Sequence, residues 1–150
     1  MKETTLCYIE KDDTYLMLLR NKKDIDANKG KWIGVGGKIE AGETVEECLL
    51  REVYEETGLT LKKYDYRGKI LFESDEWGSE IMHLFTADAF EGNLIECSEG
   101  ELRWIPKNEV MSLNLWEGDR QFLRLLYEDA PYFEMKLAYE GDRLCKVEVK

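Results

Sequence analysis

Short runs of apolar and β-branched residues alternate along this chain with charged turns. Residues 4–9 and 15–19 are rich in strand formers and flank Lys11-Asp12-Asp13, a pattern that predicts a hairpin. Residues 21–31 hold six charged side chains and a glycine and predict a loop. Residues 32–35 predict a short strand that runs into Gly36-Gly37. Thr44 then offers a helix N-cap, Glu47 completes a capping box, and Gly58 supplies a left-handed C-terminal stop. A helix over 45–57 follows.

Residues 64–73 and 81–90 predict two further strands joined by 74–79, with a turn at 91–93. A short strand at 103–105 is stopped by Pro106. Phe122, Leu125 and Leu126 fall at helical spacing, and Pro131 lies just beyond, so a second helix is predicted over 119–128 with Asp119 as a candidate N-cap. The tail reads as a hairpin, 132–139 and 143–149, turning at Glu140-Gly141-Asp142. Many strands with two interspersed helices predict a single α/β domain, a sandwich with a mixed sheet.

Bulk properties narrow the chemistry. A chain of 150 residues has room for one sizeable core, and 43% hydrophobic with 35% charged residues fits a globular fold. The net charge of −11 argues against general attraction to nucleic acid or an anionic membrane. It would also repel a polyphosphate unless cations bridge the two. Cys7, Cys48, Cys97 and Cys145 form no C-x-x-C pair, and the single His83 cannot complete a zinc set with them. They read as reduced thiols of a cytoplasmic protein. No signal peptide is expected at the N-terminus, and residues 16–19 are too short a run to span a bilayer.

The helix over 45–57 carries the most informative chemistry. At roughly 100° per residue, Glu56 lies about 40° from Glu52 on one side and Glu55 about 60° on the other. The three carboxylates share one arc, and Leu49, Leu50 and Val53 occupy an adjacent arc expected to dock on the sheet. A solvated acidic face is the plain explanation. Two penalties weigh against it. Like charges at this spacing repel, and acidic side chains near a helix C-terminus oppose the macrodipole. A divalent cation would offset both, since hard cations take carboxylate oxygens.

Gly36-Gly37 is either a simple turn or a place where bare backbone approaches a metal or phosphate. Arg51 is either a surface ion pair or a rigid fork that fixes Glu43 and Glu52. Neither Gly30-Lys31 nor Gly37-Lys38 belongs to a Walker A loop. Among the aromatics, Trp32 and Trp104 read as packing residues, and Trp77 in a hairpin turn suggests no role. Trp116 lies in a predicted loop before the second helix and is a candidate to stack on a base. His83, in mid-strand, reads as structural.

Gly37, Glu43, Arg51-Glu52-Val53, Glu55-Glu56 and Gly58-Leu59 stand at spacings that resemble the Nudix box at all nine of its fixed positions. The wider chain is similar to the MutT-like subgroup. The similar segments are residues 30–38 and 68–73, Trp116 with Asp119, and the last hairpin. The resemblance implies an α/β/α sandwich with a central mixed sheet. It also implies Mg2+- or Mn2+-dependent hydrolysis of a nucleoside diphosphate linked to a further group.

Carried over by position, Glu52, Glu55, Glu56, the Gly36 carbonyl and Glu99 are the implied metal ligands, with Glu101 a rival to Glu99. Glu52 is the implied general base, and Arg51, Glu43 and Glu56 complete the catalytic group. Gly37, Lys38, Ile33, Phe72, Trp116 and Asp119 are the implied substrate contacts. Ile33 stands where the mammalian members have an asparagine, so the amide that reads the purine edge is missing. The expected reaction converts a nucleoside triphosphate such as 8-oxo-dGTP to monophosphate and pyrophosphate. Another nucleotide-linked diphosphate, or a non-catalytic nucleotide sensor, are the alternatives. A monomer or homodimer is expected.

Overall fold

The computed structural model describes residues 1–150. The chain runs β1 (Lys2–Lys11), β2 (Thr14–Arg20), β3 (Trp32–Ile33), α1 (Val45–Thr57), β4 (Thr60–Ser74) and β5 (Gly78–Glu91). It continues through β6 (Gly100–Pro106), α2 (Lys107–Val110), α3 (Glu117–Tyr127), β7 (Phe133–Glu140) and β8 (Arg143–Val149). The sheet order is β3-β2-β1-β5-β4-β7-β8, with β6 on β2. β1 pairs parallel with β5, β4 parallel with β7, and the other pairings are antiparallel, so the sheet is mixed.

Strands buried on both faces explain why β1 and β2 read as nearly continuous apolar runs. Leu6, Tyr8, Tyr15 and Met17 point to one face, where Phe122, Leu123 and Leu126 of α3 cover them. Cys7, Ile9, Leu16 and Leu18 point to the other, beneath Leu49 and Val53 of α1. The result is the expected α/β/α sandwich. Leu50, expected to dock on the sheet, is instead 38% exposed, because the buried stripe of α1 runs through Cys48, Leu49, Val53, Glu56 and Thr57.

The first hairpin exists only at its tip. Asp12 and Asp13 both adopt positive φ, and β1 and β2 pair at Glu10↔Tyr15 and Lys11↔Thr14. Beyond that point β1 runs along β5 from Lys2↔Glu80 to Ile9↔Ala87, and β2 runs along β6. The predicted strand over 32–35 shortens to β3, with Val35 bridged separately to Cys7. α3 begins at Glu117, with Trp116 rather than Asp119 at its N-cap. α2 is a single turn that the sequence pattern did not indicate.

α1 matches its expected bounds. Thr44 Oγ1 accepts from Glu47 N at 3.1 Å, and Glu47 Oε1 accepts from Thr44 N at 2.9 Å. Such a cap contributes about 1 kcal/mol. Gly58 closes the helix at φ 81°, where a Cβ would lie 2.6 Å from the Asn93 carbonyl. The two ends of α1 therefore hold its acidic face in a defined register over residues 35–38, which bridge to β1 at Thr4↔Lys38 and Cys7↔Val35.

Candidate active site

Arg51 organises the acidic face. Its Nε and Nη2 hold both oxygens of Glu43 at 2.6 and 2.9 Å. Its Nη1 reaches Glu52 at 2.7 Å and Glu55 at 3.2 Å, and Nη2 also donates to the Lys38 carbonyl at 3.1 Å. The Glu43 contact is bidentate, and all three carboxylate contacts are of the strong, charge-assisted kind. The Arg51 hydrogen bonds, with a further one from the Glu40 amide, hold the Glu43 carboxyl down to about 2. Burial raises the Glu52 carboxyl, and Arg51 opposes that rise.

Gly36 and Gly37 are required at close quarters. A Cβ on Gly36 would meet the Thr5 carbonyl at 2.0 Å, and one on Gly37 would meet the Glu52 carboxyl carbon at 2.4 Å. The Gly36 amide donates to Glu56 Oε2 at 2.8 Å, while its carbonyl accepts no backbone hydrogen bond. Glu56 is buried, and its carboxyl is pushed well above the ordinary range by burial and by a shared hydrogen bond with Glu99. Burial works against the charge on Glu99 as well. Hydrogen bonds from Lys23 and Glu56 and the charge of Arg20 outweigh it and hold that carboxyl low. Glu99 sits 2.9 Å from Lys23 Nζ and 3.1 Å from Arg20 Nη1.

Glu99, not Glu101, thus joins the cluster. Glu101 pairs with Arg103 on β6 and touches none of the helix glutamates. Glu52, Glu56 and Glu99 cluster about the Gly36-Gly37 backbone, while Glu55 is more than half exposed. No three carboxylates close on a single point as they stand. The donor set is nonetheless all oxygen. It includes the buried Glu56 hydrogen-bonded to the partly exposed Glu99, and an unpaired Gly36 carbonyl, which fits a hard divalent ion.

Across the Gly36-Gly37 strip lies a cavity of about 370 Å³. Ile33, Gly36, Gly37, Lys38, Phe72, Trp116 and Asp119 all line it. The fold therefore collects every residue that the sequence proposed as a substrate contact. Phe72 stacks on Tyr139 at 6.3 Å between ring centres, and Trp116 meets Tyr139 edge-on at 5.4 Å. Trp116 Nε1 donates to Asn28 Oδ1 at 2.8 Å, which pins the 21–31 loop to the cavity wall.

Asp119 occupies the first turn of α3 and is 4% exposed. It caps nothing, which corrects the N-cap reading. Burial holds its carboxyl up to about 7.

Several cavity residues escaped the sequence reading: Arg20, Asn28, Met82, Tyr139 and the hairpin residue Trp77. Alternation marks Met82 and Tyr139 as inward-facing, but no local signal says that their strands border a cavity. His83 is structural, as read, and is held by Tyr66 at 2.7 Å and Glu3 at 2.9 Å. Cys7, Cys48 and Cys97 are buried and Cys145 is exposed, all as free thiols. No helix is long and apolar enough to cross a membrane.

Residues 2–126 match the family model described as NUDIX domain. The chain belongs to the Nudix family. It is therefore a Nudix pyrophosphohydrolase, and the carboxylate face of α1 is the part of the fold that carries the family box. It is 33% identical over 128 residues to the uncharacterized Nudix hydrolase YvcI of Bacillus subtilis, an alignment covering 82% of this chain and 77% of that protein. It is 35% identical over 100 residues to the oxidized purine nucleoside triphosphate hydrolase of Danio rerio, covering 66% of this chain and 64% of that one. The MutT protein of Bacillus halodurans superposes with a TM-score of 0.90 at 28% identity. That match covers 100% of this chain and 98% of the other.

Proposed function

We propose that this Nudix enzyme hydrolyses a nucleoside triphosphate to monophosphate and pyrophosphate, with an oxidised purine nucleotide such as 8-oxo-dGTP as substrate. The observation that carries the proposal is the shared Gly36-Gly37 wall. It has an aromatic, base-sized cavity on one side and the glutamate cluster on the other. The relative from Danio rerio acts on oxidised purine nucleoside triphosphates by name, which supports the same substrate class here.

In this reading Glu52, Glu55, Glu56 and Glu99, with the Gly36 carbonyl, would hold Mg2+, or Mn2+ in its place. When bound, that ion neutralises the polyphosphate and acidifies the attacking water. Glu52 accepts the proton; it is partly desolvated and held in one orientation by Arg51. Arg51 and Glu43 act as the rigid mount. Phe72 and Trp116 bracket the base, and Asp119 presents a carboxyl to its polar edge. The negative surface is no obstacle, because the cation inverts the sign of the site.

A second reading keeps the chemistry and changes the leaving group to a sugar or a second nucleotide. Its support is Ile33, an apolar residue on the cavity wall where the mammalian enzymes have an amide. The test is one panel, with Mg2+, of ordinary and oxidised nucleoside triphosphates, sugar nucleotides and dinucleotide polyphosphates, read by phosphorus NMR. The proposal expects monophosphate and pyrophosphate, with the highest kcat/KM for an oxidised purine triphosphate. No monophosphate from any triphosphate would refute it, and a clear preference for a linked diphosphate would favour the second reading.

A further inference from the structure

β8 closes one end of the sheet and pairs only with β7. Its outer edge is open, and most of the strand is exposed. Glu134 and Lys150 exchange both backbone bonds, Lys150 N to Glu134 O at 2.8 Å and Glu134 N to Lys150 O at 3.4 Å. Backbone groups alternate in direction along an antiparallel strand. Glu148, opposite Lys136, and Lys146, opposite Ala138, therefore also turn their amides and carbonyls inward. Val147 and Val149 turn theirs outward. Their side chains lie on the α3 face beside Leu137 and Met135, and remain 39% and 55% exposed. Lys146 and Glu148 share the opposite face and touch at 3.0 Å.

We propose that this edge pairs antiparallel with the β8 edge of a second copy of the chain, about a twofold axis through Val147. That register is the one the charges select. It places the two outward-facing Val147 residues opposite each other as a hydrogen-bonded pair. It also places Lys146 of each protomer opposite Glu148 of its partner, twice over by symmetry. These are non-hydrogen-bonded pairs, in which facing side chains lie closest.

A slip of two residues one way sets Lys146 against Lys146, and a slip the other way sets Glu148 against Glu148. A slip of one residue sets outward backbone groups against inward ones. Lysines on an edge strand ordinarily block such pairing. Here each lysine meets a matched carboxylate, and the exposed Val147 and Val149 of both copies extend the α3-side core across the axis.

Sedimentation velocity across a micromolar concentration series tests the pairing. The wild-type chain should form a concentration-dependent dimer. K146E and E148K should each weaken it by about tenfold or more, since both cross-axis pairs become repulsive. The double swap K146E/E148K should restore it. Val147→Pro removes an N–H that points away from β7, so it should abolish the dimer without breaking a β7–β8 hydrogen bond, and turnover should stay near wild type. Because Lys146, Glu148 and Val147 lie outside the active site, these results stand or fall independently of the substrate. A wild-type chain that stays monomeric throughout would overturn the proposal. So would a dimer that tolerates both K146E and Val147→Pro.

Discussion

Arg51 holds Glu43 through two parallel contacts, Nε to Oε2 at 2.6 Å and Nη2 to Oε1 at 2.9 Å. This leaves Nη1 free to reach Glu52 at 2.7 Å. One guanidinium thus ties the loop before α1 to the carboxylate proposed as base. A lysine cannot make both ends of that link, because it is a point charge without a planar fork. Arg51→Lys should lower kcat by about 10- to 100-fold, the scale of a misplaced catalytic group. Circular dichroism should be unchanged, while the melting temperature should fall modestly, because the lysine keeps the charge but loses the fork that holds the part-buried Glu43. Steady-state kinetics beside a thermal melt checks both.

The two adjacent glycines predict opposite phenotypes. A Cβ at Gly36 would meet backbone, the Thr5 carbonyl at 2.0 Å, so Gly36→Ala must displace the 35–38 strip from β1. A loss of about 2–3 kcal/mol in stability is expected from such overpacking, read by urea denaturation. A Cβ at Gly37 would meet the Glu52 carboxyl, a side chain able to rotate away. Gly37→Ala should therefore stay folded and lose turnover instead.

Asp119 gives a pH signature. Burial raises its carboxyl to about 7, with Lys31 opposing and Glu80 adding to the rise. A folded-state value above the unfolded one means a contribution that is complete below about pH 4 and is lost as pH rises through about 7. The full span is on the order of 4 kcal/mol. Asp119→Asn has no proton to lose. Its stability relative to wild type should rise from pH 5 to about pH 7, on a scale of about a kcal/mol per pH unit at the lower end, and level off by pH 8. Denaturant midpoints at the two pH values measure the difference.

Glu56 follows the same sign for a different reason. Burial and Glu99 oppose its charge, so the ion-free protein loses stability as pH rises through its elevated folded value. A bound divalent ion favours the charged form. Mg2+ should raise the melting temperature more at pH 8 than at pH 6, and Glu56→Gln should remove most of that difference.

How far these features could be read from the sequence depended on how local their causes are. α1 was legible to the residue, because Thr44, Glu47 and Gly58 encode its ends within one turn of each terminus. The α3 boundary was not. Asp119 has the chemistry of a cap, but tertiary packing places it inside the first turn and leaves Trp116 at the cap position. The partners of β1 were equally hidden, since the parallel pairing with β5 joins residues nearly eighty apart. The Arg51-Glu52-Glu55-Glu56 group came from one helix and was visible. Arg20, Asn28 and Tyr139 reach the cavity from three separate segments, and no local pattern could have grouped them.

The most direct test of the central claim is Glu52→Gln, assayed for single-turnover hydrolysis and, separately, for nucleotide affinity with Ca2+ in place of Mg2+. The substitution keeps the side chain's size and its place against Gly37 but removes the proton acceptor. A loss of about 100-fold or more in the hydrolytic rate is expected, the scale of a positioned general base, with nucleotide still bound, because the amide oxygen stays available to the ion. An unchanged hydrolytic rate would contradict it.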